Sequence, residues 1–325
     1  MVVAVSWVVF FGVLLAPTFS QAEDGLSGLG LLQRMSQASR QLTYSGTFVY
    51  RGSNHMETSS IAHALLDGRE QERIEVLDGS PREVIRDGNE VKCFFPEDNR
   101  VIVENRIAQR RFPALLPAGL GNLQDHYLIR TGGNGRIAGM TSRIVRLEPR
   151  DNFRYGHEFW MDAGSGLLLK ASIIGEQGEA LESFAFTQVQ VGGTLDRDAF
   201  RPRFAGTPKM SMQQVRAVAM GGNELGWSFR TLVPGFHQVS VMKRQWAAGQ
   251  AESLHILFSD GLASISVFIE PAIAKDGMAK DEGATRLGAL SVYRRNTEGY
   301  RVIVMGEVPA ITVRRLGDGI EPRHK

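Results

Sequence analysis

The stretch Pro149-Arg-Asp-Asn-Phe-Arg-Tyr-Gly-His-Glu-Phe-Trp-Met-Asp-Ala-Gly-Ser-Gly-Leu-Leu-Leu-Lys-Ala171 reads as a β-hairpin. Phe153, Tyr155, His157, Phe159 and Met161 fall on one face of an extended strand. Arg154, Gly156, Glu158, Trp160 and Asp162 fall on the other. The run from Asp162 to Gly166 supplies a turn, because Asp and Gly tolerate the positive φ that a tight reversal needs. Leu167 to Ala171 is the return strand. The aromatic face and the charged residues Arg154, His157, Glu158 and Asp162 leave two readings of the hairpin: a site, or plain sheet.

Working outward, similar strands lie on both sides. Leu42–Tyr50 is rich in β-branched and aromatic residues around Gly46. Short runs at Met56–Leu65, Glu72–Leu77, Glu83–Arg86, Glu90–Phe95 and Arg100–Glu104 are set apart by Asp78-Gly79, Asp87-Gly88 and similar turns. Tyr127–Arg130, Arg136–Leu147 and Ala180–Val191 complete roughly ten antiparallel strands. One amphipathic helix, Ser27 to Leu42, precedes them, with Leu29, Leu32, Met35 and Leu42 at helical spacing. Such a meander curls, and a helix across its mouth fills the concavity. The predicted fold is mainly β (α+β), with a large N-terminal curved sheet or incomplete barrel that has an apolar interior.

Gly192 to Gly222 changes composition, with Gly pairs at both ends and Pro202 and Pro208 between them. It reads as a linker, and Met212–Met220 as a short helix within it. A smaller, strand-rich unit follows. Its strands are His237–Gln245, Glu252–Ser259, Ser264–Pro271, Gly288–Arg295 and Tyr300–Met305, with a short helix over Ile311–Leu316. The expected organisation is therefore a leader over 1–22, a first domain over 23–200, a linker over 201–222 and a C-terminal domain over 223–325.

The leader rests on the apolar run Val2–Ala16 and on small residues, Ser20 and Ala22, before a cleavage point. An uncleaved anchor is the rival reading. The run is short for a span of ~20 residues, which favours cleavage and export. No Lys or Arg precedes the run, a departure that bears on where translation starts. Cys93, the single cysteine, excludes an internal disulfide and reads as a buried, inert thiol.

The 325 residues carry a net charge of +2, too balanced to point to nucleic acid. Residues 206–325 hold 15 Lys/Arg against 11 Asp/Glu, and Arg294, Arg295, Arg301, Arg314 and Arg315 gather near the end. They form either a solvated sheet face or a surface for an acidic partner. No nucleophile elbow, zinc-binding HExxH, phosphate-binding glycine loop or Cys/His metal spacing is present. Asp151, Arg154 and Asp162 read as turn residues and an ion pair, with an acidic site as the alternative. No cofactor, metal or catalytic residue is expected. The aromatic residues on successive strands admit a plain core or a cavity for an acyl chain. In the second reading Phe48, Tyr50, Tyr155, Trp160 and Phe184 line it, each buried CH₂ of the chain contributing about 0.8 kcal/mol.

These residues also carry a resemblance. Tyr44–Tyr50, Arg154-Tyr-Gly156 with Gly166–Lys170, Phe184–Gln188, Gly226-Trp227, Pro234-Gly-Phe236, Asp260-Gly261 and Gly306–Pro309 resemble the RseB/MucB family. The resemblance implies an N-terminal domain like the lipoprotein carriers LolA and LolB, an unclosed barrel with helical cover, and a smaller C-terminal β-rich domain. It implies a periplasmic regulator that binds the periplasmic part of a membrane-spanning anti-sigma factor and shields it from site-one proteolysis. Lipid or lipopolysaccharide fragments would release it. It implies no catalytic residues and is compatible with a homo-oligomer. A lipid carrier using the same cavity and an exported hydrolase with an unrecognised site are the competing functions.

Overall fold

The computed structural model describes residues 27–105, 112–117, 119–205, 210–214, 216–220, 225–245, 252–272 and 282–323. The leader expected over 1–22 lies outside the described residues. The chain opens with helix α1 (Gly28–Gln41), whose N-cap Ser27 accepts from the Gly30 N–H. Leu31, Leu32 and Met35 on its inner face are at most 3% exposed. They enter the first core together with residues from the sheet below.

That sheet begins with β1 (Tyr44–Arg51), β2 (Met56–Leu66), β3 (Arg69–Val76), β4 (Glu83–Asp87), β5 (Glu90–Phe95) and β6 (Arg100–Asn105). It continues, after the short helix α2 (Leu123–His126), with β7 (Tyr127–Ile137), β8 (Met140–Pro149), β9 (Gly156–Asp162), β10 (Leu168–Ile174) and β11 (Ala180–Val191). Neighbours pair antiparallel in the order β6-β5-β4-β3-β2-β1-β11-β10-β9-β8-β7. The first and last strands of the meander, β1 and β11, therefore meet at its centre. The two outer edges do not pair with each other, so the barrel stays open, as the strand meander predicts. Helix α1 packs on β2, β7, β8 and β10, across the concave side.

The opening hairpin is β9 and β10, and Phe159 and Met161 are in the core while Glu158 and Trp160 are outside. The strand starts at Gly156, three residues later than the alternation predicts. Asp151 caps a bend ahead of it by accepting from the Phe153 N–H, and this turns Arg154 away from the sheet. The single strand expected over Arg136–Leu147 is instead the end of β7, a tight turn and β8. Ala138 and Gly139 both adopt positive φ, 49° and 81°, the geometry that matches the twist of a two-residue hairpin.

The expected helix over Met212–Met220 is two strands, β12 (Ser211–Gln214) and β13 (Arg216–Ala219). An isolated helix of that length is marginal, whereas each of these segments completes a sheet edge. Strand β12 runs parallel to β6, making the first sheet twelve-stranded, and β13 runs antiparallel to β15 (His237–Gln245). The second sheet orders β13-β15-β16-β17-β20-β19-β18, with β16 (Ser253–Ser259), β17 (Ser264–Pro271), β18 (Gly283–Leu287), β19 (Leu290–Thr297) and β20 (Tyr300–Gly306). Helix α3 (Ala310–Asp318) covers one face of it. A two-stranded pair of β14 (Trp227–Phe229) and β21 (Ile320–Pro322) lies beside it. Ile256, Ile265, Val267, Val302 and Val304 are fully buried on that face. The alternate residues, Leu257, Ser266, Phe268 and Met305, face the first domain.

Candidate functional site

The second sheet lies across the open mouth of the first, and between them is a cavity of about 810 Å³, within the size range of small-molecule sites. Strand register fixes its floor. Glu57, Tyr50, Phe184, Ala171 and Phe159 are successive cross-strand partners on one face, and Phe48 lies in the next row beside Phe186. Phe112 drops onto this floor, stacked on Phe184 at 5.6 Å and tilted on Phe48 at 5.3 Å. Such ring pairs add ~0.5–1.5 kcal/mol each beyond the area they bury. The roof is Leu257, Ser264, Ser266, Phe268 and Met305 of the C-terminal sheet.

Three of the expected cavity residues, Phe48, Tyr50 and Phe184, line this space together. Two do not. Trp160 points to the outer face of the sheet, where its Nε1 donates to Glu158 Oε1 at 2.7 Å and Lys170 Nζ sits 5.0 Å from its ring. The period-2 alternation that brings Phe159 inside puts Trp160 outside. Tyr155 lies before the strand begins, 1% exposed in a small interdomain cluster with Leu181 and Ala289. The sequence reading missed Glu182, although it lies two residues before Phe184 on the same strand face and so could have been found. It also missed Glu307 and His255, which arrive from the other domain, whereas His157, singled out on the opening hairpin, lines the cavity.

Polar groups concentrate near Tyr50. Glu182 is 8% exposed and accepts from the Ala289 N–H of the other domain at 3.0 Å. Burial, and then the Glu182 charge, push the Tyr50 hydroxyl well above its usual pKa. Glu307 lines the cavity and is exposed by surface area, with much of the domain around it. The resulting desolvation and the nearby Glu182 charge push it up to about 7. Burial holds His157 and His255 down at about 4, so both are neutral at pH 7. Glu57 is paired with Arg82 at 2.9 Å.

A set of interdomain bonds surrounds the cavity. The β16–β17 hairpin inserts its tip into the first domain. Arg154 Nη1 donates to Asp260 Oδ2 at 2.6 Å, with both side chains fully buried, and Arg154 Nη2 donates to the Pro234 carbonyl at 2.6 Å. Tyr127 donates to the same Asp260 oxygen at 3.1 Å. The other Asp260 oxygen accepts from the Leu262 and Ala263 N–H groups, fixing the hairpin tip. Thr312 donates to the Phe153 carbonyl, and Arg315 lies over the Phe153 ring. Of the charged residues of the opening hairpin, Arg154, held also by Asp151, serves this domain clasp. Asp162 is separate: it accepts from the Ser165 N–H within its own turn.

The five arginines divide. Arg295 donates to the carbonyls of Gly317 and Ile320 and closes the end of α3, and Arg315 donates to the Leu232 carbonyl. Arg314 is exposed on α3. Arg294 reaches Thr285 at 3.4 Å, and Arg301 sits on β20 opposite Glu270 and Asn296. Cys93 is half-buried. Among the described residues no group of three or more His, Cys, Asp or Glu is placed to hold a metal ion.

The comparisons with known proteins cover both domains. Residues 27–204 match the MucB/RseB N-terminal domain and residues 222–321 the MucB/RseB C-terminal domain. The chain is 30% identical to the sigma factor AlgU regulatory protein MucB of Pseudomonas aeruginosa, over 98% of this chain and 97% of that one. It is also 30% identical to the sigma-E factor regulatory protein RseB of Salmonella typhimurium, over 92% of each. A crystal structure of MucB in complex with MucA(peri) superposes with a TM-score of 0.70 at 30% identity, covering 92% of this chain and all of that one. With both domain matches in order along one chain, the protein belongs to the MucB/RseB family.

Proposed function

We propose that the protein is a regulatory binding protein of the cell envelope. It holds the periplasmic segment of a membrane-spanning anti-sigma factor and so restrains an envelope-stress sigma factor of the AlgU or sigma-E kind. The observation that carries this reading is the two-domain match, over 92% of the chain, to a MucB bound to MucA(peri). Bound segment is withheld from the site-one protease in proportion to its occupancy, by mass action. Export by the 1–22 leader places the protein beside that partner.

Release is assigned to lipid or lipopolysaccharide fragments in the interdomain cavity. Both domains line the cavity, so an occupant that fits one domain arrangement better than another shifts the equilibrium by its differential affinity. A tenfold loosening of the partner needs about 1.4 kcal/mol. The test is protease protection. The protein from residue 23 should slow cleavage of the anti-sigma segment by the site-one protease, and added lipid should restore cleavage. Unprotected cleavage removes the shield. Protection indifferent to lipid removes the release step.

The same cavity supports a second reading, a carrier that ferries acyl chains. A carrier transfers labelled lipid between liposomes without any anti-sigma segment present.

A further inference from the structure

Two neighbouring residues at the tip of the β16–β17 hairpin belong to different cores. Ala263 is buried in the hydrophobic cluster of its own C-terminal domain. Leu262 packs instead against the cluster of the first domain. It also lines the interdomain cavity, together with Phe112, Leu115 and Phe184 of the first domain. The chain thus places one of its own apolar side chains in the space that an acyl chain entering the open barrel would take.

The clasp that holds the tip there consists of two halves, each held together within its own domain. Arg154 makes two bonds to Asp151 of its own loop, at 2.9 and 3.0 Å. Asp260 Oδ1 accepts from the Leu262 and Ala263 N–H groups of its own tip, at 2.9 and 2.8 Å. Ser259 closes the same turn, its hydroxyl donating to the Ala263 carbonyl and accepting from the Gly261 N–H. What crosses between the domains on Asp260 is Arg154 and Tyr127, both at Oδ2. Parting the clasp therefore leaves the guanidinium paired and the tip shaped, and the freed Asp260 oxygen meets water rather than staying buried and uncompensated. Inserted and withdrawn are two discrete placements of preformed parts, which is what a switching element needs.

We propose that the β16–β17 tip is a built-in competitor of the acyl chain. Leu262 and the chain take the same space, so a bound chain holds the tip out, parts Arg154 from Asp260 and frees the C-terminal domain to move. This rests on the lipid part of the proposed function and assigns the release step its moving element. A chain that binds only the withdrawn arrangement has its affinity lowered in proportion to how rarely the tip is withdrawn. Removing Leu262 then tightens lipid binding. A side chain that merely walls the cavity has the opposite sign, because its removal takes away apolar contact.

The experiment uses the protein from residue 23 and a lauroyl lysophospholipid with a glycerol head, kept below its micelle concentration. In calorimetric titration Leu262→Ala should bind it about tenfold tighter than the parent does. Hydrogen exchange on the unaltered protein should show the Leu262 and Ala263 amides losing protection on saturation with lipid, while amides at the centres of β16 and β17 keep theirs. That second measurement stands even if the variant folds poorly. Equal or weaker binding by Leu262→Ala, or tip amides whose protection lipid leaves unchanged or raises, overturns the competitor and leaves lipid binding intact. No binding of the lipid by either protein overturns both.

Discussion

Arg154 and Asp260 meet at 2.6 Å across the domain boundary with neither side chain exposed to solvent. Each charge is fully stripped of water, so each depends on the other and on the Tyr127, Asp151 and Pro234 groups around it. Arg154→Ala should therefore cost ~3–5 kcal/mol, because it leaves the Asp260 charge buried and uncompensated. It should also loosen the domains. Urea unfolding measures the first effect, and an increased radius of gyration in small-angle scattering the second. An unchanged midpoint would mean that water already reaches the pair.

A second prediction concerns acid. His255 is held at about 4, first by burial and then by the Arg244 charge, against an ordinary value of 6.5. Its folded pKa lies below its unfolded one, so the unfolded chain takes up the proton first as pH falls. The stability tied to neutral His255 is intact above about pH 6.5 and lost progressively down to about pH 4, by on the order of 3 kcal/mol. His255→Phe can keep the stacking on Phe268, whose ring is 4.4 Å away, and removes the titration. Denaturant midpoints of the variant should fall less between pH 6.5 and 4.5 than those of the parent.

Glu307 predicts the opposite sign. Its folded pKa of about 7 lies above the ordinary 4.5, so its contribution to stability is full below about pH 4.5 and is lost as pH rises through about 7. Glu307→Gln should stabilise the protein more at pH 8 than at pH 5. Thermal melts at the two values decide it, and equal shifts would place the group in open water.

The floor of the cavity gives a paired test. Phe184→Ala removes a ring that touches Phe48, Tyr50 and Phe112, and it should weaken binding of a lauroyl lysophospholipid several-fold or more. Trp160→Ala, on the outer face, should leave that affinity unchanged. Calorimetry compares the two, and a loss on Trp160→Ala would contradict its placement.

The arginines make a fifth. Reversing Arg294, Arg301 and Arg314 to Glu should weaken binding of an acidic partner segment and flatten its salt dependence, with the fold retained. Arg295→Glu should destabilise the C-terminal domain itself, because its guanidinium holds the Gly317 and Ile320 carbonyls. Circular dichroism separates the two outcomes. Full affinity in the triple variant would place the partner elsewhere.

What the sequence made legible follows from local rules. Helix α1 was readable from its leucine spacing. Most strands were readable from alternation and Asp-Gly turns, and the position of Phe48, Tyr50 and Phe184 from shared facing. The β7–β8 turn was hidden because Ala138 is not a residue that advertises a left-handed conformation. The strands at Ser211–Ala219 were hidden because what makes them strands is a neighbouring edge distant in sequence. Arg154 read as a turn residue because its partner, Asp260, lies 106 positions away. Glu307 could not be placed without knowing which face of the second sheet meets the first domain.

The segment with β12 and β13 ends one sheet and begins the other: Gln214 closes the first strand and Arg216 opens the second. It shields β6 on one side and β15 on the other, two edges that would otherwise offer unpaired backbone groups to other chains. The connection is thus a guard against self-assembly as well as a tether. A single cut between these strands would leave β12 on β6 and β13 on β15, so both edges stay covered, and the nicked halves would be expected to stay soluble and joined through the Arg154–Asp260 contact.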